Sequence, residues 1–419
     1  MRFLTDWLDD GVSASVELRV TDCFLEILVG ERRVSRFVDD RTNRAHDRVV
    51  MPAYPPAEGL ARNWWSLVAG RTQIFHLRRF RDGFALPDVR IRPDGRYMNI
   101  SAEPFEYNNP PVSFTVRTRE RITISEFERD TGAFIEATLA RLSEESIPNT
   151  WLQERWENIC ESQENAEERA FCEAAGALGI DPYTCPDEEA ELVEMSSEPL
   201  AKDALPEFLA GCKLDGIRDA LTWMGESEAA LGNRVALPVL PEIVQGVRRH
   251  LTQGVAEERA WEVGYKAAAA CRDQINLPAK HSFQDPSEIA NLFGARQFEV
   301  CGNRVNGLRA EVNGAADHPR VVVAGPGRPT SLNFATMRAI GDYLVYSSDG
   351  RAPINDTHSY RQAVGRAFAA EMLVPAEIIA DMQDQGMGIE EIAAERNVSE
   401  ITVMHQLENH RAAEAAGWY

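Results

Sequence analysis

The sequence lacks any apolar run that approaches the roughly 18 residues needed for a membrane-spanning helix. Its N-terminal segment turns acidic at Asp6, Asp9 and Asp10 and has no apolar core, so it does not read as a signal peptide. The seven cysteines are scattered and never form a CxxC pair, which argues against a zinc finger and favours reduced thiols. These absences predict a cytoplasmic protein that does not enter a membrane.

Signatures of several common active sites are missing as well. Neither a P-loop pattern nor a GxGxxG pattern is present, so a nucleotide-binding fold has no support. No GxSxG pattern marks a serine nucleophile, and the cysteines lack a recognisable Cys–His signature. The segment before residue 280 therefore contains no catalytic constellation.

The sequence contains fewer basic than acidic residues. Lysine and arginine total 44 against 66 aspartates and glutamates, which gives a formal net charge of −22. Such a chain repels nucleic acid phosphates, so nucleic acid is not an expected partner. The 44% apolar and 26% charged fractions are typical of a globular protein. A length of 419 residues suggests several domains, at roughly 100–200 residues each.

The spacing of apolar residues changes along the chain. Residues 1–125 favour strands, with alternation at residues 15–20 and an apolar run at residues 23–29. Residues 126–279 favour helices, and residues 280–419 mix short strands with helices. We therefore expect a multidomain α+β protein with a β-rich N-terminal domain, a helical middle region and a third, C-terminal domain.

Several local features carry their own expectations. Trp64 and Trp65 are expected to anchor a small core, with a ligand platform as the alternative. The acidic segment 187–207 is expected to be a linker or a solvated helix face, with a partner-binding patch as the alternative. Residues 298–300 favour a short strand, and residues 330–346 favour a helix.

The strongest motif lies near the C-terminus. Residues 365–375, which include Phe368, Glu371 and Pro375, resemble the FAAELLxP signature of the ImmA/IrrE metallopeptidases. Residues 389–409 resemble the C-terminal tail of that family, and residues 173–183 are similar to a segment that often precedes its peptidase domain. The resemblance implies a zincin-like domain over residues 280–419.

In this family the catalytic chemistry depends on an HExxH helix. Residues i and i+4 share one helix face, so two histidines can hold one zinc while the glutamate activates a bound water. The resemblance aligns this motif with Arg338-Ala339-Ile340-Gly341-Asp342. Arginine offers no acceptor for a metal and alanine offers no base. Residues 360–364, where a third ligand would stand, contain no carboxylate.

The resemblance therefore implies a pseudo-peptidase without catalytic residues or a resident metal. Arg338 and Asp342 are oppositely charged and four residues apart, so we expect an intrahelical ion pair in the former metal site. The expected binding groove includes these two residues together with Tyr343, Gln362 and Arg366.

A rearranged zinc site is the alternative for the same region. It would use Asp342 and His358, although His358 lies in a polar loop where a histidine is usually exposed to solvent. An active zinc metallopeptidase with such ligands is the alternative to the pseudo-peptidase.

The C-terminal tail has the pattern of a helix-turn-helix. Its second helix contains Glu400 and Glu408 and only a late Arg411, so it has few side chains for phosphates or base edges. We expect this tail to pack on the peptidase-like core. A nucleic-acid-binding regulator that uses the tail is the alternative.

Family members often belong to regulatory, stress and phage-related systems. By analogy, the resemblance implies a sensing or protein-binding module in a bacterial or phage setting, such as antiviral defence. The expected partner is a protein or peptide.

Overall fold

The computed structural model describes residues 1–415 except positions 10, 12, 14, 71–72, 110, 198–199, 252–258, 306, 316–317 and 348. The chain divides into two compact units, Met1–Ala190 and Glu191–Tyr419. Helices and strands are mixed, with most strands near the N-terminus and most helices after them. This order confirms the expected α and β character.

The described strands of the first unit form three antiparallel sheets. The strands are β1 (Arg2–Trp7), β2 (Asp22–Val29), β3 (Arg32–Arg33), β4 (Phe37–Asp39), β5 (Arg44–His46), β6 (Val49–Pro52), β7 (Phe75–His76), β8 (Asp88–Pro93), β9 (Tyr97–Glu103), β10 (Phe105–Asn108), β11 (Pro111–Phe114) and β12 (Thr118–Thr123). In the first sheet β2 pairs with β1, β3 and β6. The other two have the orders β10-β11-β4-β5 and β12-β9-β8-β7.

Six described α-helices accompany these strands. They are α1 (Val16–Val20), α2 (Tyr54–Arg62), α3 (Trp64–Val68), α4 (Ile124–Glu144), α5 (Trp151–Glu164) and α6 (Ala166–Leu178), with a 3-10 turn at Leu77–Phe80. Helix α4 begins at a capping box, because the Thr123 hydroxyl accepts from the Glu126 backbone N–H and the Glu126 carboxylate accepts from Thr123. Phe127, Phe134 and Ile159 of α4 and α5 belong to the same core as the strands.

The prediction of a strand at residues 15–20 is wrong. These residues form α1, because the Ser15 hydroxyl accepts a hydrogen bond from the Leu18 backbone N–H and starts a helical turn. The predicted strand at residues 23–29 is confirmed by β2. Trp64 and Trp65 are buried, as expected for a core anchor, and the Trp64 ring meets Trp156 edge-on at 5.0 Å.

The second unit surrounds a small sheet with helices. Its strands are β13 (Leu308–Asn313), β14 (Arg320–Val323) and β15 (Arg351–Asn355), in the antiparallel order β14-β13-β15. The remaining helices are α7 (Asp187–Ser197), within which the division falls, α8 (Leu205–Gly211), α9 (Ile217–Leu231), α10 (Leu240–Leu251), α11 (Ala260–Gln274), α12 (Pro286–Leu292), α13 (Pro329–Tyr346), α14 (Tyr360–Leu373), α15 (Ala376–Asp384), α16 (Ile389–Arg396) and α17 (Glu400–Ala415), with 3-10 turns at Leu214–Gly216 and Gly232–Val235.

The predicted helical middle region is shared between the two cores. Val247, Ala268 and Cys271 of α10 and α11 pack in one cluster with Ile340 and Phe368 of the second unit. The division after Ala190 therefore falls inside that predicted region, and the boundaries near residues 125 and 279 stay predictions. The predicted helix at residues 330–346 is confirmed by α13.

Two smaller predictions are settled by local structure. Most of α7 is exposed and only Val193 and Ser196 are buried, so the solvated helix face is confirmed for α7. It is wrong for the end of the acidic segment, where Leu200, Ala204 and Glu207 are buried. Residues 298–300 do not form a strand; Phe298 and Val300 instead pack, partly buried, against the core. Among the described residues, no helix combines the length and apolar character needed to cross a bilayer.

Helices α13 and α14 approach each other closely at Gly341. A Cβ atom on Gly341 would lie 2.5 Å from the Phe368 ring, well inside van der Waals contact. The glycine of the pentapeptide from Arg338 to Asp342 is therefore required by packing, whether or not the neighbouring positions bind a metal.

Candidate functional site

The candidate site lies where α13 faces α14 and the end of β15. Ser359 caps the N-terminus of α14, since its hydroxyl accepts a hydrogen bond of 3.2 Å from the Gln362 backbone N–H. This cap places Arg361 and Gln362 in the first turn of α14. Both side chains are buried and reach residues of α13.

Arg338 joins three elements of the unit. Its residue exposure is 3%, and its Nη2 donates to the Asn355 carbonyl oxygen and, at 2.8 Å, to Gln362 Oε1. Its Nη1 lies 3.8 Å from Asp356 Oδ1, and its Nε is buried without a hydrogen-bond partner. Burial and the neighbouring Arg366 charge lower the pKa of Arg338, yet the guanidinium keeps its charge at neutral pH.

Asp342 pairs with Arg361, not with Arg338. The Arg361 Nε and Nη2 donate to the two Asp342 carboxylate oxygens at 2.7 and 2.6 Å, in a buried bidentate pair. Burial opposes the charge on Arg361, but the carboxylates of Asp342 and Asp203 raise its pKa. The expected intrahelical pair is wrong because acceptors at Asn355 and Gln362 hold Arg338 away, while Arg361 offers Asp342 a planar fork.

The residues aligned with the zinc-ligand positions by the resemblance do not fit a zinc ion. Arg338 can only donate hydrogen bonds, and both oxygens of Asp342 are already engaged by Arg361. His358 is exposed, as expected from its polar loop, whereas Asp342 is buried. Over the described part of the chain, no group of three or more His, Cys, Asp or Glu side chains is placed to hold a metal.

A groove of about 630 Å³ opens beside this polar cluster. Its apolar wall includes Trp261 of α11, Phe334 of α13 and Ile401 of α17. Of the five residues expected to line a groove, Arg338 and Arg366 do so. The other three are not part of its lining: Asp342 and Gln362 are buried beside it, and Tyr343 packs partly buried against the core.

Asp356 lies among three arginines at this groove. Arg309 Nε donates to Asp356 Oδ2 at 2.8 Å, and Arg366 Nη1 donates to the nearby Thr357 carbonyl oxygen at 2.9 Å. Burial opposes ionisation of Asp356, but the hydrogen bond from Arg309 and the charges of Arg338 and Arg366 lower its pKa. Burial lowers the pKa of Arg366. The arrangement is suited to holding carboxylates.

The glutamate of the FAAE segment has a structural role. Glu371 Oε2 accepts from the Ala376 backbone N–H at 3.0 Å, at the start of α15, and from Gln406 Nε2 at 2.9 Å. Gln406 also donates to the Val374 carbonyl oxygen and accepts from the Tyr265 hydroxyl. Glu371 thus connects α14, α15 and α17.

The tail has the predicted helix-turn-helix form. Asn397 ends α16 in the left-handed conformation, and α17 follows from Glu400. Val403 and Leu407 are buried in the core of the second unit, which confirms the expected packing of the tail. Arg411 is exposed.

Sequence reasoning missed several residues of the site. Arg361 lies within residues 360–364, where the resemblance implies a third zinc ligand, and its positive charge is the signal that marks it as a partner for Asp342. Arg309, Asp356 and Trp261 come from β13, the loop after β15, and α11. No local pattern links these segments.

Comparisons with protein-family models, curated proteins and solved structures found no match to this chain.

Proposed function

We propose that this chain is a pseudo-peptidase of the ImmA/IrrE type, with a zincin-like domain that binds a peptide or protein segment without cutting it. It serves as a sensing or protein-binding module in a cytoplasmic regulatory, stress or defence system of a bacterium or phage. The setting follows from the resemblance of residues 365–375 and 389–409, and the binding role follows from the site.

One observation carries the proposal. The positions that resemble zinc ligands form buried links between α13 and α14, from Arg338 to Gln362 and from Asp342 to Arg361, while the groove beside them stays open. The links hold the two helices together without a metal. A groove of about 630 Å³ that is lined by both apolar and polar side chains has the size of a ligand site.

Elemental analysis of the purified chain tests the loss of the metal. We expect no stoichiometric zinc in the wild type or in an Asp342→Ala/His358→Ala double variant. About one zinc per chain, lost in the double variant, would instead support an active metallopeptidase with rearranged ligands.

Selection from a phage-displayed library of random dodecapeptides tests the groove. Peptides selected by the wild type should bind Ile401→Ser at least several-fold more weakly, because Ile401 lines the groove and is 65% exposed. Met404→Ser is the matched control, since Met404 is an exposed apolar residue of the same helix outside the groove lining. Equal losses in both variants, or no selected peptides, would contradict a peptide-binding groove.

A further inference from the structure

The groove carries an excess of positive charge. Among its described lining residues the arginines are Arg309, Arg338 and Arg366, and the sole carboxylate is that of Asp356. The chain as a whole has a formal net charge of −22, so this is a local reversal of sign. A concave site with low-dielectric walls concentrates such a field and attracts anions.

Arg338 has unused hydrogen-bonding capacity. The side chain is almost fully buried, its Nε has no acceptor, and its nearest carboxylate oxygen, on Asp356, is 3.8 Å away. A buried charged donor without an acceptor is unfavourable, and guanidinium groups bind carboxylates through paired hydrogen bonds. A carboxylate in the groove would pair with Arg338 Nη1, to which the described residues offer only the Asp356 oxygen at 3.8 Å.

The Asp356 carboxylate already binds one of the three arginines. It takes hydrogen bonds from Arg309 Nε and Nη2, and its position among the three arginines lowers its pKa. Arg366, by contrast, donates to a neutral carbonyl oxygen of Thr357. Asp356 therefore leaves the charges of Arg338 and Arg366 without a hydrogen-bonded carboxylate.

The rest of the lining favours a peptide as the carrier of the anion. Trp261, Phe334 and Ile401 present apolar surface beside the arginines. An acidic residue with apolar neighbours would bury those neighbours on this surface while its carboxylate reaches the arginines.

We infer that the groove recognises a carboxylate on a peptide, with Arg338 and Arg366 as its binding residues and apolar side chains next to it in the ligand. This inference rests on the proposed function, because it names the ligand chemistry of the same groove. The carboxylate has two sources, an Asp or Glu side chain or a free C-terminus.

The dodecapeptide library distinguishes these sources when it is displayed in two formats, one with free C-termini and one without. We expect acidic residues beside apolar ones in the second format, or a free carboxylate next to apolar residues in the first. Synthetic counterparts with Asn or Gln in place of the acid, or with a C-terminal amide, should bind roughly 10–100-fold more weakly.

Variants of the arginines supply the second readout. Arg366→Gln and Arg309→Gln should lower the affinity for the acidic peptide. The affinity for its amide counterpart should stay almost unchanged. Arg234→Gln is the matched control, because Arg234 is a partly exposed arginine paired with Glu299 elsewhere in the same unit. Arg309 is likewise partly exposed, so its replacement keeps the test valid if Arg366→Gln fails to fold.

The outcomes separate the two proposals. Peptides that depend on Ile401 but bind equally well as acids and amides would overturn the carboxylate inference and leave the peptide-binding function intact. Peptides that do not depend on Ile401 would overturn both. Acid-dependent binding that falls in Arg366→Gln and persists in Arg234→Gln supports both.

Discussion

The two units of this protein treat buried charge differently. In the first unit, the described charged side chains that are buried are Asp22, Asp88 and Arg155. In the second unit the corresponding residues are Glu207, Glu228, Arg272, Glu311, Arg338, Asp342, Arg361 and Arg396. Both units have an extensive apolar core, but the second also places ionisable side chains between its helices and sheet.

The partners of these charges differ as well. Asp88 of the first unit binds Arg78 and Arg90, whose side chains are partly exposed. In the second unit Asp342 and Arg361 are both buried. Buried pairs depend strongly on geometry and add little net stability, so they restrict the arrangement of the elements more than they stabilise it. The unit with the candidate site is the one whose helix packing depends on such pairs.

Removal of the Asp342 carboxylate should have the largest effect on stability and should show the difference between the two units most clearly. Asp342→Ala removes the buried carboxylate that accepts two hydrogen bonds from Arg361, and we expect a loss of about 3–5 kcal/mol in the unfolding free energy. Asp88→Ala should cost only about 1–2 kcal/mol, because Arg78 and Arg90 can turn to solvent. Urea denaturation, with hydrogen exchange read in each unit, measures both. Equal losses would contradict the difference between the units.

The second-largest loss of stability is expected where α13 and α14 approach each other at Gly341. Gly341→Ala should destabilise the second unit by about 1–3 kcal/mol, because the new methyl group would collide with the Phe368 ring. Gly365→Ala is the control on α14. A Cβ atom at this position would lie 3.7 Å from its nearest neighbouring atom, which is ordinary contact, and alanine favours a helix. Thermal unfolding compares the two variants. A harmless Gly341→Ala would show that the helices can separate.

The pH dependence of stability should distinguish the units. Burial raises the pKa of Glu311 to about 8, and its Oε2 has no hydrogen-bond partner, although Arg351 donates to Oε1. The native state therefore holds this proton more tightly than the unfolded state, whose value is near 4.5. Stability from this group is present below pH 4.5 and is lost as the pH rises to about 8.

The test compares the wild type with Glu311→Gln across this pH range. The wild type should lose stability relative to the variant by about 1–3 kcal/mol as the pH rises. Asp88 in the first unit should behave oppositely: burial opposes its ionisation, but hydrogen bonds from Arg90 and His76 lower its pKa. Its contribution is therefore lost as the pH falls. Parallel curves for the wild type and Glu311→Gln would refute the assignment.

The smallest effect concerns the groove itself. Arg309→Gln should change the unfolding free energy by only about 0.2–1 kcal/mol, because Arg309 and Asp356 are both partly exposed. The same substitution should lower the affinity of the groove for acidic peptides. Chemical denaturation and peptide titration on one preparation would separate the two effects, and a large loss of stability would identify Arg309 as structural.

Local patterns predicted much of the fold. The apolar run of β2, the helical period of α13 and the turn between α16 and α17 depend on residues close in sequence, so they were recognisable without the tertiary structure. The error at α1 has the same origin, because alternating Val16, Leu18 and Val20 suggested a strand while the Ser15 cap favoured a helix.

The sequence by itself determined that positions 338 and 339 hold an arginine and an alanine, which can supply neither a zinc ligand nor a base. It also determined that Arg338 and Asp342 share a helix. Only the tertiary structure decided their partners, since Arg361 and Gln362 lie on α14 and Asn355 lies on β15. The groove is likewise a tertiary feature, because Arg309, Trp261 and Ile401 come together only when the sheet, α11 and the tail pack against one core.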